Sequence, residues 1–275
     1  AGIRAVLAPM YEDRPYIDSL PIDRSRLPGD IVARWRDVTL PPADAYFELM
    51  GALLDRWGGH GRLGVMVGVD GPQRCTEQLL AQAGAFVAAH GVGFHTHLLE
   101  AKTQALVGAA SAEGLLARLD RHGLVGPRSS FAHFVWGTDA EVELLAARGA
   151  CVVHNPVSNL LLGSGIAPVA AMIRAGVGVA LGTDSGSGSR ASLLEQAKLA
   201  ALLSHVTDPD ADRWLSARDA LAMATLGGAR VIGRGAELGA VRPGATADLV
   251  VVDARGLDHR PRGDPWLHLV MHESG

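Results

Sequence analysis

Three short polar groups in this chain each close an apolar run. Phe94-His95-Thr96-His97-Leu98-Leu99-Glu100 carries two imidazoles and a carboxyl, Phe131-Ala132-His133 adds a third imidazole, and Leu181-Gly182-Thr183-Asp184 ends on a carboxylate. Imidazole and carboxylate arriving from separate strand ends are what a divalent metal, or an acid/base pair, requires. His95 and His97 are two apart and would face the same way on a strand. Glu100 follows just past the strand end, so His97 can bind a metal while Glu100 stands over the open coordination position. Water on such a metal is acidified towards neutrality and becomes a nucleophile. It then needs a base and an acid, for which Asp184 and Glu100 are suited, while His133 can hold or polarise the attacked group. One strand histidine alone is more often core than ligand. The set His97, Glu100, His133 and Asp184, all at strand ends, points to a site. His95 alone fits a metal neighbour, a support for a ligand, or a packed core residue.

The elements that must position these groups alternate along the chain. Apolar runs at Ile3–Ala8, Leu63–Val69, Val92–Leu98, Ser129–Phe134, Ala150–His154 and Val177–Thr183 read as buried strands. Helical stretches lie between them at Ala43–Trp57, Thr76–His90, Ala112–His122, Asp139–Arg148, Pro168–Ala175 and Ala191–Ser204, and another follows at Ala217–Ala229. Pro168 suits a first helical turn, and Gly149 and Gly176 act as stop signals. This regularity predicts an α/β protein of parallel βα units, whose strand ends at one face carry the chemistry. Residues 11–42, rich in Pro, Asp and Arg, read as a long βα loop that helps shape a pocket. From Gly239 to Asp253 a turn-rich segment leads into a run of valines that reads as a separate β element.

Composition narrows the function. At 275 residues the chain can bury a large core, and a net charge of −4 gives no argument for nucleic acid or membrane surfaces. Cys75 and Cys151 are the two cysteines, far apart, which argues against a disulfide framework and for a reducing, cytoplasmic setting. No apolar run is long enough to span a bilayer and no signal-peptide pattern is present. Both ends look cut: Ala1 lies directly before an apolar strand, and the chain stops at Gly275 after another apolar stretch.

At this point the motifs carry a family resemblance. Val152-Val153-His154-Asn155-Pro156-Val157-Ser158-Asn159-Leu160-Leu161-Leu162-Gly163-Ser164-Gly165, followed by Gly182-Thr183-Asp184, resembles the amidohydrolase superfamily, in its branch of cytosine, guanine and adenosine-type deaminases and s-triazine hydrolases. Ala132-His133, His97–Glu100 and Gly244–Asp253 match as well, so the resemblance covers nearly the whole chain. It implies a (β/α)8 TIM barrel, partial here at about strands three to eight, over residues 1–232. Residues 233–275 would belong to a small β-sandwich. It implies one divalent metal, zinc first and iron second; no lysine sits where the two-metal branch places its bridging group. By position, His97 is a metal ligand, Asp184 a ligand and base, Glu100 the proton shuttle to a ring nitrogen, and His133 a contact to the bound water or substrate. Asn155, Ser158 and Asn159 shape a loop or simply make tight turns.

Two departures from the family pattern stand out. The family draws two more ligands from a His-x-His motif on its first strand, and the spacing from His97 to Asp184 makes Ile3–Ala8 about the third strand. The chain therefore reads as a piece of the usual protein, and alone it would hold a metal poorly. Secondly, Asp70 stands where several purine-type deaminases carry histidine. Asp70, Gln73 and Arg74 are candidate substrate-contacting residues, with a solvated loop as the alternative. The Ser185–Arg190 stretch reads as a flexible loop. No Walker lysine, no G-x-S-x-G elbow and no paired-cysteine zinc-deaminase signature supports another enzyme class. The expected activity is hydrolytic deamination of a small nitrogen heterocycle by metal-bound hydroxide. The alternatives are removal of chloride or an alkylamine from a triazine-like ring, or a non-catalytic fragment. The expected partners are that substrate and further copies of the chain in a homo-oligomer, with no nucleic acid and no membrane.

Overall fold

Short apolar strands do alternate with helices in the computed structural model, which describes residues 2–37, 39–185, 190–253 and 263–272. The chain divides into two units, Ala1–Ala132 and His133–Gly275. The first contains β1 (Ala5–Leu7), β2 (Met10–Tyr11), α1 (Gly29–Arg36), α2 (Ala43–Trp57), β3 (Leu63–Val69), α3 (Glu77–His90), β4 (Gly93–Leu98), α4 (Lys102–Ala110), α5 (Leu115–Arg121) and most of β5 (Ser129–His133). β1 and β2 both run parallel to β3, with Ala5 opposite Leu63 and Met10 opposite Gly68. β3 in turn runs parallel to β4, with Gly68 opposite His95. Parallel strands need a crossover of a dozen residues or more, and α3 supplies the one from β3 to β4.

Local chemistry sets these limits. The Thr76 hydroxyl accepts from the Leu79 amide at the start of α3, and Gly91 closes the helix in the left-handed conformation at φ 63°. Val65–Val69 of β3 are buried, as expected for a strand covered on both faces. β4 alternates: Phe94, Thr96 and Leu98 are fully buried, while His95 and His97 share the half-buried face that their spacing requires.

The second unit contains α6 (Asp139–Arg148), β6 (Cys151–His154), α7 (Pro156–Leu161), α8 (Val169–Arg174), β7 (Gly178–Leu181), α9 (Leu193–Thr207), α10 (Ala217–Ala222), α11 (Gly228–Val231) and α12 (Pro265–Met271). β6 and β7 are parallel, Cys151 opposite Gly178 and His154 opposite Leu181. A reciprocal cap between Thr138 and Glu141 starts α6, and Gly149 stops it. Between α10 and α11 the helix widens into a π turn over Met223–Gly227. That turn lies against β7: a Cβ on Gly227 would sit 2.2 Å from the Val179 carbonyl oxygen, so only glycine fits there. Cys75 and Cys151 are both free thiols and both buried.

Several expectations need correction. The stretch 11–42 is not all loop; it holds α1 and single 3-10 turns at Tyr16–Ser19 and Arg24–Arg26. The valine run before Asp253 forms no strand among the described residues, and Val250 and Val251 are more than nine-tenths exposed. A strand requires a hydrogen-bonding neighbour, and this segment has none alongside it in the described residues. Within Ser185–Arg190, Gly186–Ser189 lie outside the described residues.

Candidate functional site

In the first unit, β4 delivers His97 to a cavity of about 290 Å³. Asp70, Gln73, Arg74 and Glu100 line the same cavity, so every candidate that the sequence placed before residue 132, except His95, meets there. The His97 Nδ1 lies 2.7 Å from the Asp70 carbonyl oxygen. A carbonyl only accepts, so Nδ1 is the donor in this contact and Nε2 is the nitrogen that can face a metal. This is the support that a metal-binding imidazole uses to fix its tautomer. Glu100 is anchored through its backbone, whose amide donates to Gln104 Oε1 at 2.6 Å. His95 takes a different role: its Nδ1 pairs with the Ser130 hydroxyl at 2.7 Å, an interior partner rather than a place at the cavity.

In the second unit, β5 ends on His133 and the segment after β7 carries Asp184; the His133 Nε2 lies 4.0 Å from Asp184 Oδ2. The His133 Nδ1 donates to the Asn159 side-chain oxygen at 2.8 Å, which turns Nε2 towards Asp184. The Ser158 hydroxyl donates to the Asp184 carboxylate. Asn155 lies against the His133 ring, and Gly182 makes room for it: a Cβ there would fall 2.3 Å from Asn155 Oδ1. Thus Asn155, Ser158 and Asn159, which read from sequence as loop-shaping or tight-turn residues, hold both chemical groups. His154, one residue earlier, is buried with an unpartnered Nδ1. Burial first, and the nearby His133 imidazole second, push its pKa down to about 3, so it stays neutral.

Backbone strain marks the same places. Among the described residues, the non-glycine residues with positive φ are Leu99 (51°), His133 (75°), Phe134 (50°) and Asp184 (58°). Each is at or just past a strand end, where a left-handed turn re-aims a side chain. No periodicity in the sequence signals this. Equally hidden from sequence is Glu12, which pairs with Arg74 from a distant segment.

The donors suit a divalent ion. His97 and His133 each engage Nδ1 with a protein acceptor and so have Nε2 as the coordinating nitrogen, and Asp184 offers a carboxylate oxygen. Within the second unit, the 4.0 Å between His133 and Asp184 is close to the roughly 3.4 Å separating tetrahedral ligand atoms around zinc.

Comparisons with known proteins agree with this chemistry. Residues 28–268 match the model of the amidohydrolase family. The chain is 38% identical over 227 residues to a 5′-deoxyadenosine deaminase of Methanosarcina barkeri, covering 80% of this chain and 51% of that one. A zinc-bound adenosine deaminase of Xanthomonas campestris superposes with a TM-score of 0.81 at 33% identity, over 85% of this chain and 53% of that one. The zinc complex of atrazine chlorohydrolase from Arthrobacter aurescens gives a TM-score of 0.87 at 27% identity, over 100% of this chain and 58% of that one. The chain spans about half the length of the curated relatives it matches.

Proposed function

The chain belongs to the amidohydrolase family, with the fold of a partial (β/α)8 barrel, and on that premise we propose that it contributes the catalytic half of a metal-dependent deaminase of nitrogen heterocycles. The observation that carries this reading is one cavity holding both His97, an imidazole whose Nδ1 is fixed by the Asp70 carbonyl, and the Glu100 carboxyl. A ligand beside a proton carrier is what hydrolytic deamination needs. The 38% identity to a 5′-deoxyadenosine deaminase favours an adenine-type ring as substrate. Release of chloride from a triazine is the second reading, supported by the likeness to atrazine chlorohydrolase over the full chain.

In the proposed site, His97 and Asp184 would hold one divalent ion, zinc in preference to iron, with His133 as a contact to the bound water or the substrate. The ion, when bound, acidifies a water so that it can attack at neutral pH. Asp184 takes the proton of the attacking water, and the hydrogen bond from Ser158 holds its carboxylate for that transfer. Glu100 delivers its carboxyl proton to the ring nitrogen and regains one from the added hydroxyl as the C–N bond breaks, while the proton taken up by Asp184 leaves with the amine. His133, locked by Asn159, orients the attacked group through Nε2. Asp70 and Gln73 contact the substrate ring from the cavity wall.

We further propose residues 1–232 as barrel and 233–275 as part of a small β-sandwich, a homo-oligomeric assembly, and a cytoplasmic setting. No described helix is long and apolar enough to cross a membrane. The test is ammonia release from a panel of purines, pyrimidines, triazines and adenine nucleosides by the zinc-loaded full-length protein. Ammonia from at least one of these rings is expected. Release of chloride alone from a chlorinated triazine would replace the first reading with the second.

A further inference from the structure

The wall of the His97 cavity has an uneven charge. Its charged lining residues are Asp70, Glu100 and Arg74. Arg74, however, is not open to a ligand. Its Nη1 donates to Asp70 Oδ2 at 2.8 Å, its Nη2 is held by the Glu12 carboxylate, and its plane lies 5.3 Å from the centre of the Tyr16 ring. Its Nε is buried within the protein. One guanidinium held between two carboxylates leaves a local excess of negative charge. A further acceptor points the same way: Gln73 is more than nine-tenths buried, and its Oε1 has no hydrogen-bond partner. A buried, unmet acceptor gains most from an N–H donor on a ligand.

Resting on the proposed role of this cavity as the substrate pocket, we infer that it selects neutral or cationic substrates rich in N–H donors and rejects those bearing an anionic substituent, with Glu12 setting that selectivity by engaging Arg74. Without Glu12, one end of the guanidinium would be open to pair with a substrate carboxylate. Rejection of a wrong charge in a partly buried site is a stronger discriminator than any one added contact.

The experiment uses the zinc-loaded full-length protein and three matched ligands: 5′-deoxyadenosine, 5′-amino-5′-deoxyadenosine and adenosine 5′-carboxylic acid. Dissociation constants are measured by calorimetry, and turnover by ammonia release. The carboxylate should bind about tenfold or more weakly than the neutral nucleoside, and the amine at least as tightly as it. In Glu12→Gln the affinity for the carboxylate relative to the neutral nucleoside should rise about tenfold, while Glu12→Asp keeps the original order. Should Glu12→Gln not fold, Asp70→Asn releases the same guanidinium from its other side and should shift the ratio the same way. Equal affinity for carboxylate and neutral ligand in the parent protein, or a uniform loss across all three in the variants, overturns the inference. Ordered binding without ammonia from any ligand would defeat the deaminase reading and leave the charge selectivity standing. No binding of any of the three would defeat both.

Discussion

The His133 Nδ1 and the Asn159 side-chain oxygen lie 2.8 Å apart, and both residues are about 1% exposed. That contact decides which imidazole nitrogen carries the proton. Asn159→Ala should lower kcat about tenfold to a hundredfold, the usual weight of a group that orients a functional histidine. It should also cost about 1–3 kcal/mol in stability, because a buried N–H loses its acceptor. Asn159→Asp keeps the acceptor and should restore much of the activity. Steady-state kinetics and urea unfolding of the two variants check this; equal loss in both would assign Asn159 to packing alone.

Glu100 is proposed to move protons and not to hold the ion. Glu100→Gln should retain metal and lose about 10²-fold or more in kcat. Metal analysis beside kinetics separates the two roles. Metal loss in this variant would make Glu100 a ligand.

His97→Ala and Asp184→Ala should each abolish stoichiometric zinc in the full-length protein, since either change removes one of the few direct donors. His95→Ala should not, because the His95 Nδ1 is engaged by Ser130 in the interior. Metal content after gel filtration reads all three. Zinc retained in His97→Ala would move the ligand assignment to another histidine.

The burial of His154 makes stability fall on the acid side. Its pKa drops from 6.5 to about 3 on folding, so between these values the unfolded chain binds a proton that the folded chain refuses. This contribution is fully present above pH 6.5 and declines as the pH falls towards 3. The slope is at most about 1.4 kcal/mol per pH unit, one proton's worth. Urea midpoints at several pH values should show that slope in the parent and a shallower one in His154→Gln. An unchanged slope would show that other groups dominate the acid limb.

Much of this arrangement is legible from residue order. Apolar runs locate β3 and β4 to within a residue, and the spacing of His95 and His97 fixes their shared face. Elements are missed where the pattern is weak. α4, Lys-Thr-Gln-Ala-Leu-Val-Gly-Ala-Ala, has small residues and no clear apolar stripe. α7 hides behind Asn155-Pro156, which reads as a turn, although proline is welcome in a first helical turn. The valines before Asp253 have strand composition but no neighbouring strand, and composition cannot supply one. Within the site, the residue types were readable and their supports were not. Ser158 and Asn159 act on Asp184 and His133 across more than twenty positions, and Glu12 reaches Arg74 across 62. Such pairings depend on how the chain turns back on itself, which no local spacing encodes.

Leu99, His133, Phe134 and Asp184 hold a backbone conformation that ordinary side chains avoid, at a cost of order 1–3 kcal/mol each. All four positions are, or directly adjoin, residues proposed to act in the site: Leu99 precedes Glu100, Phe134 follows His133, and His133 and Asp184 are two of them. Selection for heat resistance and selection for turnover therefore pull in opposite directions at these few strand ends. A library screened only for survival on heating should collect glycine or asparagine at the strained positions and drift towards a sturdier, inactive chain. Stabilising work on this protein is better directed at its helices, away from the turns that aim its chemistry.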